Sequence, residues 1–314
     1  MLAFVGRRLA AALPVLAVVA LVVFLILRLA PGDPAAVLAG NSATVDDVAR
    51  IRAQLGLERP LPEQFARWAA RVLAGDLGES FFFGQSVSSL IARRVEPTLA
   101  LSAATIVLAV AIAVPLGALA ARRLGGRLDR ALSVLSVLGF SVPVFVTAYA
   151  LIWLFAVRLG WLPVQGYARL SDGVGAFARQ LALPVATLAL VYVALIARVT
   201  RAAVSEALAE DWVRTARAKG LSEPRVLVRH ALATAAVPIV TVIGNGVGLL
   251  VGGVVVTETV YAIPGLGSLT VEAVLNRDFP VIQGVVLVFS AAYVAINLAV
   301  DLSYLALDPR IRGR

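Results

Sequence analysis

Six long apolar blocks run through this chain, and each is about the length needed to cross a bilayer as a helix. They are Leu9–Leu29, Thr98–Ala121, Ala131–Val157, Leu181–Ala197, Ala235–Val256 and Val281–Leu305. A hydrocarbon core about 30 Å thick takes roughly 20 helical residues to span. The blocks therefore predict an all-α polytopic membrane protein with six transmembrane helices. Composition agrees: 60% of the 314 residues are hydrophobic and 15% charged, against about 45–50% and 25% in soluble domains. Arg7 and Arg8 precede the first block in the manner of a signal peptide. An apolar run of about 20 residues exceeds the 7–15 of a signal core, so the block reads as a retained helix.

Single residue types exclude several chemistries. The one lysine, Lys219, lies between Ala218 and Gly220, so the Gly-Lys-Ser/Thr of a phosphate-cradling P-loop is missing and ATP is not bound by that motif. Cysteine is absent, which removes disulfides, thiol catalysis and thiolate metal sites. The lone histidine, His230, cannot build a two-histidine zinc motif. The net charge of +9 would suggest nucleic acid in a soluble protein. In a membrane protein its placement reports topology instead, and no nucleic-acid partner is expected.

Six spans put both termini on one side. With the N-terminus inside, the inner segments hold Arg7 and Arg8, the Arg122–Arg130 group, the seven basic residues from Arg198 to Arg229, and Arg310, Arg312 and Arg314. That is sixteen of the 28 basic residues. The two short outer loops hold Arg169, Arg179 and Arg277, besides Arg158 at a helix end. The bias predicts cytoplasmic termini in a multi-pass protein of the cytoplasmic membrane.

The segment from Ala30 to Thr98 reads as a folded outer subdomain. Thr44 can cap a helix over Val45–Leu55 with Asp46 and Asp47 in its first turn and Gly56 at its end. Pro60 and Pro62 extend the next stretch, and Phe65, Trp68, Ala69 and Val72 then recur at helical spacing. Gly75, Gly78 and Gly84 punctuate the rest. The expected organisation is residues 1–30 for the first helix, 31–97 for the outer subdomain, and 98–314 for a five-helix core with a cytoplasmic segment at 198–230.

Pro14, Pro115, Pro143 and Pro184 lie in or near spans, where each frees a carbonyl that needs a partner within the protein. In the fifth span Gly244, Gly248 and Gly252 have the spacing that lets two helix backbones approach closely. That helix is expected to be central, against a neighbour within the chain or a second subunit.

The inner segment Arg198–His230 carries the most information. Val204, Leu208 and Trp212 form an apolar stripe, and Glu210 precedes Arg214 by the four residues that favour an ion pair. Gly220 suits a left-handed helix end, Ser222 a cap, and Glu223-Pro224 a first turn. Pattern alone accommodates both a rigid helix-turn-helix that couples to another protein and a basic amphipathic helix on anionic lipid.

The run Glu210-Asp-Trp-Val-Arg-Thr-Ala-Arg-Ala-Lys-Gly-Leu-Ser222 resembles the coupling motif of ABC importer permeases in the dipeptide, oligopeptide and nickel family. Ala216 and Gly220 match the motif's alanine and glycine, whereas Arg214 and Thr215 depart from its first two positions. Ala233 stands where a proline is expected later. Further similarities are Pro31-Gly-Asp-Pro34, Leu55-Gly-Leu-Glu-Arg-Pro-Leu61, Gln64, Trp68, Gly75-Asp-Leu-Gly-Glu-Ser80, Glu258-Thr-Val-Tyr-Ala-Ile-Pro-Gly-Leu-Gly267, Arg277-Asp-Phe-Pro-Val-Ile-Gln-Gly284 and Asp308-Pro-Arg-Ile-Arg312.

The resemblance implies the type I importer permease fold and the first of two homologous permease subunits. Its partners would be a second permease, two cytoplasmic ATPases that hold the ATP and Mg, and an outer solute-binding protein, with peptide as cargo. The chain itself would be no enzyme and carry no cofactor or metal. Glu210, Asp211, Arg214, Thr215, Ala216, Arg217, Lys219, Gly220 and Leu221 would be the coupling residues. Nickel chelates and glutathione-like compounds are alternative cargoes within the same family.

Polar groups in spans are costly and usually face a bundle interior or a water-filled path. Asn245, Thr257, Glu258 and Asp278 are candidates for the path or an outer gate, with capping or loop fixing the competing role for Glu258 and Asp278. Asn297 and Asp301 read as structural groups bonded to a neighbouring helix, and His230 as packing near the inner end of span five. An ion-coupled secondary transporter would need two related halves with paired mid-membrane charges, and the sequence has neither. An intramembrane hydrolase lacks its motifs.

Overall fold

The structure, a computed structural model, describes residues 2–29, 35–36, 44–54 and 56–307. Pro31–Pro34, Leu55 and the tail motif from Asp308 lie outside them. Most of the described residues are helical, and among them one isolated antiparallel bridge joins Glu79 and Ser86. In chain order the helices are α1 (Leu2–Leu29), α2 (Val45–Gln54), α3 (Leu61–Leu73), α4 (Val87–Ala121), α5 (Arg127–Ser141), and α6 (Val144–Leu151, continued by a π-helical Ile152–Arg158). Then follow α7 (Val174–Ala209), α8 (Asp211–Ala218), and α9, composed of Glu223–Arg225, a π-helical Val226–Ala231 and Leu232–Thr234. The last are α10 (Ala236–Val260), α11 (Leu266–Leu275) and α12 (Phe279–Leu307).

Five helices are long and apolar enough to cross a membrane: α1, α4, α7, α10 and α12. The third predicted block, Ala131–Val157, is not one helix. It is the pair α5 and α6, bent by 105°. Val142 is extended (φ −93°, ψ 120°) because the ring of Pro143 disfavours a helical residue before it, and α6 restarts with Pro143 as its first flank. The proline that sequence placed inside a span therefore breaks it. Pro14, Pro115 and Pro184 are carried inside continuous helices.

Contacts group the chain into two units that are not linear blocks. One comprises Glu96–Ser268 with Ala295–Arg314; the other comprises Leu2–Val95 with Leu269–Val294. Both α4 and α12 pass from one unit to the other.

In the first unit α7 is the most buried spanning helix, and the glycine-rich α10 packs against it. Two thirds (67%) of the spanning window of α7 is buried, against 33% for α10. The small residues sit on its neighbours. Gly117 of α4 lies against Ala197 and Thr200, Gly139 of α5 against Ala194, and Gly246 and Gly253 of α10 against Tyr192 and Leu188. Lipid tails are as apolar as leucine, so helices associate in a bilayer through close packing of this kind. Of the three spaced glycines, Gly244 packs on Val300 of α12, Gly248 is half-buried, and Gly252 faces open space. A β-carbon at Gly117 would lie 2.6 Å from the Ala197 carbonyl oxygen and 2.8 Å from the Thr200 β-carbon, neither of which can swing away. Gly117→Val is expected to destabilise the protein by about 2–3 kcal/mol. Thermal unfolding in detergent checks this, with Gly175→Ala, which meets nothing within 4 Å, as the neutral control.

In the second unit α2 covers Val45–Gln54 as expected, and Gly56 beyond it has φ +65°. The aromatic stripe of α3 packs on α1. Trp68 is 9% exposed and sits with Phe65 and Phe24, ring centroids 5.2–6.0 Å apart. Gln64 donates its side-chain amide to the carbonyls of Leu57 and Arg59 at 3.1 and 2.8 Å, which fixes the preceding turn.

Candidate functional site

The predicted inner segment is built on the end of α7. That helix runs past its apolar part to Ala209 and stops where Glu210 turns extended (φ −68°, ψ 149°). A break thus divides the expected stripe, with Val204 and Leu208 on α7 and Trp212 on α8. All three nevertheless join one apolar cluster with Ala207, Leu227 and Ala231. Val213 is buried, and Trp212 packs against His230 with ring centroids 6.0 Å apart. Two adjacent residues of α8 thus pin it to the rest of the unit.

The end of α8 is a closed turn. Gly220 has φ +79°, its N–H donates to the Arg217 carbonyl at 2.9 Å, and the Leu221 N–H donates to the Ala216 carbonyl at 3.2 Å. This is the double-bonded helix end that needs a residue without a β-carbon. Arg217 bridges the turn to α9, its Nε and Nη2 donating to the two carboxylate oxygens of Glu223 at 2.7 and 3.2 Å. The Arg217 hydrogen bond holds the Glu223 carboxyl below its usual range. Ser222 occupies the cap position, but its hydroxyl makes no capping bond. Arg214 pairs with Asp211 at 3.8 Å, one residue from the Glu210 partner expected.

Burial sorts the coupling candidates. Asp211, Arg214, Thr215 and Ala218 are all exposed and share one face by their i, i+3, i+4, i+7 spacing. Arg217, Lys219 and Gly220 are exposed at the turn, Glu210 is exposed at the start, and Ala216 and Leu221 are half-buried. Ala216, the best motif match, therefore leans on the fold. Ala218 was missed because small apolar residues give no signal of their own.

The outer candidates are internal clamps. Glu258 at the end of α10 is fully buried. Its Oε1 accepts from the Thr98 hydroxyl at 2.6 Å and its Oε2 from the Ser268 N–H at 3.0 Å, while Thr98 Oγ1 accepts from the Leu266 N–H at 2.8 Å. The carboxyl lies directly against Gly265 and Gly267, so only glycine fits at both positions. Tyr261, also buried, has its hydroxyl 2.8 Å from that of Thr187, and its carbonyl accepts from the Gly166 N–H at 2.9 Å. Asp278 is likewise fully buried. It accepts from the Ser80 hydroxyl and from the N–H groups of Phe81 and Phe82 at 3.2 and 3.1 Å. Gln283 donates to the Val23 carbonyl at 2.9 Å, and Gly284 lies against Val87. The motifs at 75–80 and 277–284, two hundred residues apart, thus form one construction.

Thr257 is buried, and its hydroxyl has no hydrogen-bond partner among the described residues. Asn245 is exposed on α10, on a face with Leu249, Gly252 and Thr259. Asn297 and Asp301 are half-buried on α12. Among the described residues no group of three His, Cys, Asp or Glu side chains is placed to hold a metal.

The described residues thus combine several membrane-length helices with a closed, exposed helix-turn after α7. Residues 113–313 match the family described as binding-protein-dependent transport system inner membrane component, and residues 1–102 match its N-terminal family. The chain belongs to this family. It is 52% identical over 309 residues to a probable peptide ABC transporter permease of Sinorhizobium fredii, covering 98% of this chain and 99% of that one. It is 41% identical to a putative peptide transport system permease of Brucella abortus and 43% identical to a glutathione transport system permease of Salmonella paratyphi A, each over 99% of both chains. A chain of the MetNI methionine ABC transporter matches with a TM-score of 0.58 at 21% identity, covering 70% of this chain and 96% of that one. The likeness places the fold among type I ABC importer permeases.

Proposed function

We propose that this chain is the permease subunit of an ATP-driven importer that carries di- or oligopeptides across the cytoplasmic membrane, with both termini cytoplasmic. The observation that carries the reading is α8, a short helix pinned by Trp212 and Val213, closed by Gly220, and joined through Glu210 to the most buried spanning helix. A push or pull on its exposed face passes into α7 without being absorbed by a slack loop. ATPase subunits dock on Asp211, Arg214, Thr215 and Ala218, with Arg217, Lys219 and Gly220 at the edge of the contact. They bind the ATP and Mg, and this chain performs no hydrolysis and holds no cofactor. The exposed face of α10, with Asn245 and Gly252, meets a second, homologous permease subunit and borders the peptide path. An asparagine facing lipid would be costly, and one facing a water-filled path is not. A solute-binding protein delivers cargo on the side of the outer subdomain. Glu258 and Asp278 act there by holding loops in shape.

The test is uptake into proteoliposomes containing the chain with its second permease, ATPases and binding protein. Labelled dipeptide, tripeptide and glutathione are offered separately. ATP-dependent, vanadate-sensitive uptake of peptide is expected; uptake by this chain alone on an ion gradient would overturn the proposal. Glutathione is the cargo to compare first, given the Salmonella relative.

A further inference from the structure

A groove of about 500 Å³ lies between α5 and α7, lined by Leu132, Ser133, Val137, Phe140, Arg198 and Arg201 among others. Its two arginines differ. Arg201 is tied to the buried Asp129, with Nε donating to Oδ1 at 2.6 Å and Nη2 to Oδ2 at 2.9 Å, and the Gly125 N–H donates to the same Oδ2 at 2.8 Å. That carboxylate is fully engaged, while three of the five N–H groups of Arg201 remain. Arg198, one turn deeper, is exposed and makes no ion pair or hydrogen bond within the described residues. The lining contains no acidic residue, and Asp129, the acid bonded to it, is taken up by Arg201. The groove therefore carries an uncompensated positive charge.

Depth and lining say what neutralises it. Ser133, which lines the groove, is six residues along α5 from Arg127, roughly 9 Å of helix rise, so the groove begins within about two helical turns of the basic run Arg122–Arg130. The lining beyond it is apolar, and Val134, Val137, Leu138 and Phe140 of α5 are each more than half exposed. Charge at one end and an apolar wall along the rest is the complement of an amphiphile. Basic pockets between transmembrane helices at the membrane surface bind anionic lipid headgroups, and a bare arginine at this depth needs a counter-charge.

We infer that this groove is an anionic-phospholipid site, in which Arg198 and the free N–H groups of Arg201 hold the lipid phosphate and one acyl chain runs along Val137 and Phe140. The site adds a lipid ligand to the permease reading and depends neither on cargo nor on ATPase docking. In the proposed orientation it faces the inner leaflet.

The experiment uses the purified full chain in neutral detergent, offered phosphatidylglycerol and phosphatidylcholine of the same acyl composition, with bound lipid counted by native mass spectrometry. At least tenfold preferential retention of phosphatidylglycerol is expected. Arg198→Gln, which leaves the Asp129 pair intact, should abolish the preference, and Arg179→Gln should not. Equal retention of the two lipids, or an unchanged preference in Arg198→Gln, overturns the site. Displacement of the lipid by glycerol phosphate or by a tripeptide also overturns it, assigning the groove to a soluble anion or to cargo. A photocrosslinker at Val137 in native membranes should label lipid, and labelling of a partner protein would refute the assignment. Because no transport is measured, failure here leaves the permease reading standing, and failed uptake leaves this site standing.

Discussion

Co-purification with the ATPase subunits is expected to fall to background when Gly220 is replaced by proline or Ala218 by arginine, with membrane insertion unchanged. The two substitutions act differently. Proline cannot adopt the φ of +79° at Gly220, since its ring holds φ near −65°. It also removes the N–H that bonds the Arg217 carbonyl. The turn opens and the exposed face of α8 loses its fixed angle to α7. Arginine at Ala218 leaves the fold alone, because that position is exposed, and places a long charged side chain in the docking face. Ala216→Arg is a less clean probe, since Ala216 is half-buried and its replacement would also disturb the packing of α8. Pull-down from membranes against wild-type yield reads the result. Wild-type yield in both variants would remove α8 as the docking element.

Replacing Glu258 by alanine is expected to cost about 3 kcal/mol. The Thr98 hydroxyl and the Ser268 N–H would lose their acceptor in a fully buried setting, and an orphaned buried group costs roughly 1–3 kcal/mol. Glu258→Gln should recover only part of this, because its single amide oxygen can accept from the Ser268 N–H or from the Thr98 hydroxyl but does not replace both carboxylate acceptors. Thermal unfolding in detergent measures the loss. A gate residue reaching for cargo would behave otherwise, lowering uptake while leaving the unfolding midpoint unchanged. That outcome would return Glu258 to the path. Asp278→Ala is expected to follow the same pattern for the loop at Ser80–Phe82.

Much of the fold was legible because its signals are local. Span length, the helix start after Thr44, the stripe of Phe65 and Trp68, and the left-handed Gly220 each depend on a few neighbouring residues and on the physics of one backbone segment. The turn at Gly220 was legible for the same reason. What the sequence left open depends on partners far along the chain. Glu258 meets Thr98 across 160 residues and Asp278 meets Ser80 across 198, and no periodicity announces such pairs. The division of α8 into an exposed face and a packed one was equally hidden, since Ala216 and Ala218 are the same residue type.

By itself, then, the sequence determined that the chain has several helical blocks long enough to span a membrane, lacks the Gly-Lys-Ser/Thr of a P-loop, and has a glycine suited to end a helix at position 220. Hydrophobic length and backbone geometry suffice for that. Only the tertiary structure decided that α7 is the most buried spanning helix of its unit, that Pro143 turns one span into two helices at 105°, and that the two buried carboxyl groups hold loops in place. In a bilayer, helix order follows from which small residues let which backbones approach, and that is a property of pairs of surfaces, settled when the chain packs.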